Sequence, residues 1–266
     1  RAAVARIDLR NHRKLAVIDG RIGYTGSHNI STPIYPRKEK FGSWIDASVR
    51  MIGPGVHQLQ EIFVQDWCAN TDELLGEACL FPPEDTPGSI VLQVLPSGPL
   101  NDDSPVLEVM MQAIRQSRRR TVMTTPYFVP DEAMVAALRS AALRGVEVVL
   151  VVPKHSDHFI AQAAGRSHYG YLMEAGVEIH EFTAGLLHSK TLTVDDGFSV
   201  IGSAKLHLRS FMLNFELSLL VYDASLTAEL SRLQENYLSA SERFTLEAYR
   251  ERGAARALAD NVAKLL

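Results

Sequence analysis

One arrangement of residues occurs twice in this chain, and it constrains everything else. His12-Arg13-Lys14 is followed after four residues by Asp19 and after six more by Gly26-Ser27. His188-Ser189-Lys190, Asp195 and Gly202-Ser203 repeat it at the same offsets. Two unrelated core histidines would not each bring a lysine, an aspartate and a Gly-Ser pair in register. The chain therefore builds one local structure twice.

The spacers Leu15-Ala16-Val17-Ile18 and Thr191-Leu192-Thr193-Val194 are apolar or β-branched, so each copy reads as a buried strand. Asp19-Gly20 then signals a hairpin turn. Side chains alternate faces along a strand. His12 and Lys14 therefore share a face, as do His188 and Lys190. Asp19 and Asp195 stand at odd offsets from their histidines and point the other way. The candidate catalytic set is His12, Lys14, Asp19, His188, Lys190 and Asp195, with the two aspartates expected to support the fold more than the chemistry.

Two such strands face to face would gather two imidazoles and two ammonium groups in one pocket. An imidazole with an ordinary pKa of about 6.5 can act as nucleophile or acid at neutral pH. A pair can divide the labour, one attacking and the other protonating the leaving group. The lysines would hold an anion, and the natural anion is a phosphoryl group. Ser27 and Ser203 follow glycines, where a hydroxyl or backbone N–H can reach phosphate oxygens. Asn29 and, at the matching count, Lys205 complete the candidate phosphate-binding set.

These residues resemble the phospholipase D superfamily, whose signature is a doubled HxKxxxxD motif with GSxN downstream. The bacterial cardiolipin synthase branch is the most similar. The resemblance rests on Arg10-Asn11-His12-Arg13-Lys14 through Gly20, on Thr125-Pro126-Tyr127-Phe128-Val129-Pro130-Asp131, on His188-Ser189-Lys190-Thr191-Leu192, on Leu208-Arg209-Ser210-Phe211 and on Asn214-Phe215-Glu216. It implies phosphatidyl transfer through a phosphohistidine, without metal or other cofactor. Two phosphatidylglycerols would give cardiolipin and glycerol at an anionic bacterial membrane. It further implies that a strand carboxylate orients each motif histidine: Asp46 in the first half, and Glu216 as its counterpart in the second.

The order of elements predicts an α/β fold with mixed, largely parallel sheets flanked by helices. With the resemblance, this becomes two pseudo-symmetric phospholipase D-like lobes. Residues 1–70 would be the C-terminal part of the first lobe, 71–88 a linker containing Pro82-Pro83, and 89–266 the second lobe. In the second lobe, strands near 90–95, 121–125, 146–152 and 177–181 alternate with helices over 104–119, 131–144 and 156–175. Further helices are expected from about 225 and 241. The second motif follows about a hundred residues of β/α structure and the first follows 11, so the first lobe is expected to be incomplete at its N-terminus and the chain to be part of a longer protein.

At 46% hydrophobic and 22% charged the composition is globular, and no run of 18 apolar residues is present to span a membrane. The two cysteines, Cys68 and Cys79, have no metal-ligand spacing and indicate no disulfide framework. A net charge of −4 gives no basic footprint for a nucleic-acid partner. Residues 31–43 carry Arg37, Lys38 and Lys40 between Tyr35 and Phe41, which suits contact with an anionic surface. Two positions depart from the family pattern: Lys205 stands where Asn29 has its match, and His207 stands where the family more often has Asp. Two alternatives therefore accompany the transferase: a phospholipase or nuclease of the same superfamily, and a catalytically impaired lipid-binding homologue. Because nucleophile and acid both come from side chains, turnover is expected to survive EDTA. Strong inhibition reversed by a divalent ion would overturn the metal-free chemistry.

Overall fold

Each copy of the repeated arrangement folds as an antiparallel hairpin. The computed structural model describes residues 9–30, 42–71, 73–75, 80–83, 87–99, 104–206 and 213–263. The first half supplies β1 (Arg10–Asn11), β2 (Leu15–Ile18), β3 (Ile22–Gly26), β4 (Trp44–Ile45), β5 (Ser48–Ile52) and helix α1 (Gly55–Asn70). Next come β6 (Leu92–Ser97), α2 (Pro105–Gln116), β7 (Arg120–Thr124), α3 (Glu132–Leu143), β8 (Glu147–Pro153), α4 (Phe159–Arg166), α5 (Tyr169–Met173) and β9 (Glu178–Phe182). The second motif spans β10 (Leu186–Leu187), β11 (Thr191–Val194), β12 (Phe198–Gly202) and β13 (Asn214–Val221). The chain continues with α6 (Ala224–Ser239), β14 (Ser241–Phe244), α7 (Leu246–Arg250) and α8 (Ala254–Ala263).

Strands β2-β3-β5 form a three-stranded antiparallel sheet, and β11-β12-β13 repeat its order and sense. The three-residue turn after β2 holds Asp19 at φ 53° and Gly20 at φ 64°, both left-handed, and Arg21 N–H closes it on the Ile18 carbonyl at 3.0 Å. Asp195 repeats the conformation at φ 51°. At the other end of each hairpin, a Cβ on Gly26 would lie 2.3 Å from the carbonyl oxygen of Ala47, and one on Gly202 would lie 2.3 Å from that of Leu217. The Gly-Ser pairs thus mark where two backbones press together.

The second hairpin sits inside a nine-stranded sheet ordered β1-β13-β12-β11-β7-β8-β9-β14, with β6 also on β13. The sheet is mixed, and its parallel share is smaller than the alternating pattern suggests. Parallel pairing joins β7 to β8, β8 to β9 and β1 to β13, while β11 pairs antiparallel with β12 and β7, β13 with β12 and β6, and β9 with β14. A tight hairpin can only return antiparallel, whereas helical crossovers return parallel. Alternation along the strands sends Val148, Leu150 and Val152 to the core under α2 and α3. It sends Val149 and Val151 to the opposite face, with Val122 and Tyr237. A third cluster joins Met51, Val56 and Leu59 of the first half to Ile201, Leu217 and Leu219 of the second.

Helix starts follow local chemistry. Asp131 accepts the Met134 amide at 2.7 Å, and Asp223 accepts that of Leu226 at 2.9 Å. Ser104 precedes Pro105 as predicted but makes no side-chain cap bond. Two predicted helices differ. The one expected over 156–175 divides into α4 and α5 at Ser167, whose hydroxyl donates back to the Ala164 carbonyl at 2.6 Å. The one expected from Ser241 begins instead as β14, because the free edge of β9 accepts it and Phe244 packs edge-on against Tyr169 at 5.6 Å. No helix among the described residues is long and apolar enough to cross a membrane.

Asp195 shows what the odd-offset aspartate does. Its carboxylate accepts the backbone N–H groups of Arg118 at 3.1 Å, Arg119 at 2.8 Å and Arg120 at 3.0 Å, tying the hairpin turn to the start of β7. Partial burial works against its charge, but the three amide donors prevail and hold it below the usual carboxylate range. Asp195→Asn should therefore lower stability near neutral pH by about 1 to 2 kcal/mol, the lower part of the range for bonds to a charged group because the site is part-solvated. A depressed carboxylate stabilises above its unfolded pKa and loses that effect as pH falls through its folded one. The gap between variant and parent melting temperatures should accordingly close in acid; a gap that is absent at pH 7 would refute the role.

Candidate active site

Two short parallel strand pairs bring the motifs together, and each pair joins opposite halves. β10 runs beside β4, and the His188 amide donates to the Ile45 carbonyl at 2.8 Å. β1 runs beside β13, and the His12 amide donates to the Phe215 carbonyl at 2.8 Å. Further matched bonds follow. Ser27 N–H reaches the Ala47 carbonyl at 2.9 Å and Ser203 N–H that of Leu217 at 2.9 Å. The Ser27 and Ser203 hydroxyls accept the Ala47 and Leu217 amides at 3.0 and 2.9 Å. The result is a pseudo-twofold site in which Asp46 and Glu216 hold equivalent places.

This exchange corrects the expected pairing of carboxylate and histidine. Asp46 does not serve the histidine of its own half. Its Oδ1 lies 2.6 Å from Nδ1 of His188 and also accepts the Ser27 hydroxyl at 2.7 Å. By the same exchange Glu216, wholly buried, belongs to the strand that carries the His12 bond. The physical reason is the parallel pairing: it sets each histidine beside the strand of the other half. Trp44, two residues before Asp46, completes the cradle with its ring 4.9 Å from that of His188. No motif pointed to Trp44; its place on the face shared with Asp46 was the available signal.

Alternation holds as predicted. Lys14 Nζ donates to the His12 carbonyl at 2.5 Å, and Lys190 Nζ donates to that of His188. The intervening residues turn away: Arg13 to Asp66 at 2.6 Å, and Ser189 to the Thr124 hydroxyl at 3.2 Å. Of the predicted site residues, His12, Lys14, His188, Lys190, Ser27, Ser203, Asp46 and Glu216 belong to this matched framework. Lys205 reaches it electrostatically, and half-buried Asn29 holds the equivalent position. Asp19 and Asp195 lie at the far ends of their hairpins, outside it, because four strand residues of about 3.3 Å each separate them from the lysines. Residues 31–41, with Arg37, Lys38 and Lys40, and His207 lie outside the described residues.

Cations crowd the site. Burial, then Lys205, Lys14, Arg10 and Lys190 press the His12 pKa down to about 3. Burial and Lys190 lower His188 to about 4, against the pull of Asp46. Burial opposes the charge of Asp46, yet the His188 and Ser27 hydrogen bonds and Lys190 bring it to about 2. At neutral pH the pair is thus a carboxylate with a neutral imidazole, whose Nδ1–H donates to it. Burial lowers Lys14 to about 8, opposed by Glu216 and assisted by Lys205. Burial and Lys205 hold Lys190 well below its ordinary value. A bound phosphodiester would reverse the local field and let one imidazole take a proton.

Comparison with known proteins agrees with this geometry. Residues 110–238 match the family described as cardiolipin synthase, PLD-like domain. Cardiolipin synthase A of Wigglesworthia glossinidia brevipalpis is 38% identical over 256 residues, covering 93% of this chain and 51% of the relative. Cardiolipin synthase 2 of Staphylococcus epidermidis is 35% identical over 263 residues, covering 98% of this chain and 54% of the relative. The chain thus spans about half the length of the curated relatives it matches. The fold is also that of the Haemophilus influenzae phosphatidylserine synthase, with a TM-score of 0.68 at 15% identity over 97% of this chain and 68% of that one.

The crowded cations generate a pH prediction. Sulfate does not titrate near neutrality, so any proton exchanged when it binds comes from the protein. With pKa values of about 3 and 4 for His12 and His188, both imidazoles are neutral at pH 6, and an anion raises them. Sulfate binding at pH 6 should therefore take up a fraction of a proton and tighten as pH falls. Calorimetry in buffers of different ionisation enthalpy measures this directly; an enthalpy independent of buffer would overturn the electrostatic reading.

Proposed function

We propose that this chain, similar to bacterial cardiolipin synthases over 93% of its length, carries the catalytic site of a phosphatidyltransferase of the phospholipase D superfamily. The reaction would join two phosphatidylglycerols into cardiolipin and release glycerol, at an anionic bacterial membrane surface. The observation that supports this most is the exchanged pairing: two imidazoles held by matched backbone bonds, one of them backed by the carboxylate of the other half.

In this reading residues 1–70 and 89–266 are two phospholipase D-like halves joined through 71–88. Lys14, Lys190, Lys205, Asn29, Ser27 and Ser203 face the phosphate. His12, with no carboxylate bonded to its ring among the described contacts and the lower pKa of the pair, is the nucleophile. An imidazole nitrogen of His12 attacks phosphorus, the P–O bond to the departing glycerol breaks, and His188 gives that oxygen its proton. Asp46 supports His188 while it is protonated, as a carboxylate does for a general acid–base histidine. A hydroxyl of the second phosphatidylglycerol then attacks the phosphohistidine. It yields its proton to His188, the P–N bond breaks, and His12 returns to its starting state. The lysines offset charge on the phosphoryl oxygens as it grows.

The protein incubated with phosphatidylglycerol vesicles should release cardiolipin and glycerol in equal amounts. His12→Ala and His188→Ala should each reduce turnover by about a thousandfold or more, since their roles are not interchangeable. Asp46→Asn should lower kcat while leaving KM nearly unchanged. Phosphatidic acid as the sole product would instead indicate a hydrolase using the same histidines. No lipid turnover, with vesicle binding intact, would indicate a lipid-binding homologue.

A further inference from the structure

Lys205 departs from the pattern of the first half, and its surroundings are built for it. Its ammonium lies over the ring of Tyr127, 5.6 Å from the centroid. The Tyr127 hydroxyl donates to Asp157 Oδ1 at 2.5 Å. The His158 ring meets the Tyr127 ring edge-on at 5.1 Å. The backbone stitches the same loops together. Val129 N–H donates to the Leu206 carbonyl at 2.7 Å, Leu206 N–H to the Thr125 hydroxyl at 3.4 Å, and that hydroxyl to the Tyr127 carbonyl at 2.9 Å. A flexible lysine is thereby given a fixed aromatic seat, with a carboxylate behind the ring.

We propose that Tyr127 and Asp157 are positioning residues that hold Lys205 over the phosphate pocket, making it a third phosphate-binding cation. They do not touch the reacting atoms; they act through Lys205. Four observations converge on this. A cation over a tyrosine face is stabilised by the ring's negative centre. Burial lowers the Lys205 pKa, and Glu216 and then Asp157 counter it by favouring the ammonium form. The Lys205 charge is felt by His12, Lys14, His188 and Lys190, so the ammonium is directed at the pocket and not at solvent. Finally, Asn29, its counterpart, is short and needs no seat, while a lysine has four rotatable bonds to restrain.

The proposal rests on reading the two-histidine pocket as a phosphate site, but not on which lipid is turned over. The test is a double-mutant cycle on the affinity for inorganic phosphate, measured by calorimetry at pH 7.5, where no turnover is needed. Lys205→Met should weaken binding about tenfold or more, the effect of removing one charged hydrogen bond. Tyr127→Leu should weaken it by a similar factor, and the double variant by no more than either single change. Tyr127→Phe keeps the ring and loses the tether to Asp157, so its loss should be smaller and likewise absent when Lys205 is already Met. If Tyr127→Leu does not fold, Tyr127→Phe carries the same cycle. Parent-like affinity in the tyrosine variants, or losses that add fully to that of Lys205→Met, would overturn the proposal. Absence of phosphate binding by the parent would instead refute the reading of the pocket itself.

Discussion

The hydrogen bond between Asp46 and His188 is the interaction on which the rest of the site depends, since it makes one working unit out of two halves of the chain. Neither partner is comfortable alone. A carboxylate taken out of water without a donor is costly, and losing one member of a buried pair typically destabilises by about 3 to 5 kcal/mol. The Ser27 hydroxyl and the backbone around Ala47 share the task of holding Asp46. The Gly26 contact with the Ala47 carbonyl makes this possible, because a side chain at Gly26 would push the two strands apart. Folding the site and joining the halves are therefore the same event.

Against that background the concentration of positive charge acquires a purpose. Lys14 and Lys190 each bond a histidine carbonyl, which satisfies one donor and fixes the stem without neutralising the charge. Buried Glu216 is the leading counterweight to Lys14, Asp46 to Lys190 and Asp66 to Arg13. A protein that maximised stability would pair every one of these cations. Leaving the balance positive stores an electrostatic preference for an anion, released on binding. This is the usual exchange of stability for function at a reactive site.

Much of this was legible in the amino-acid order, and the part that was not has a common cause. The motif hairpins, the side of the strand taken by His12 and Lys14, and the supporting place of Asp195 all follow from period two and from Asp-Gly turn chemistry, which act over a few residues. The partner of His188 could not be read the same way. Residues 46 and 188 meet only because β4 and β10 pair in parallel, and no local spacing records which strand lies beside which. The same limit hid β14: Ser241 to Phe244 has weak strand character of its own and is drawn in by the edge of β9. The break at Ser167 carries neither glycine nor proline at the junction, so nothing local announced it. A tightly constrained turn is written in its residues, whereas a long-range neighbour is written in the topology.

The exchanged strands carry a further implication, one of ancestry. A site in which each half sets its motif histidine against a strand of the other is what two identical half-chains would assemble about a symmetry axis. In such a pair every substitution would appear twice, and both sides of the pocket would change together. Once the halves are joined in one polypeptide, each can drift independently. Asn29 opposite Lys205 and Asp46 opposite Glu216 are the kind of differences that only the joined form permits. The covalent link thus does more than hold two halves together: it frees the two sides of the pocket to evolve along separate paths.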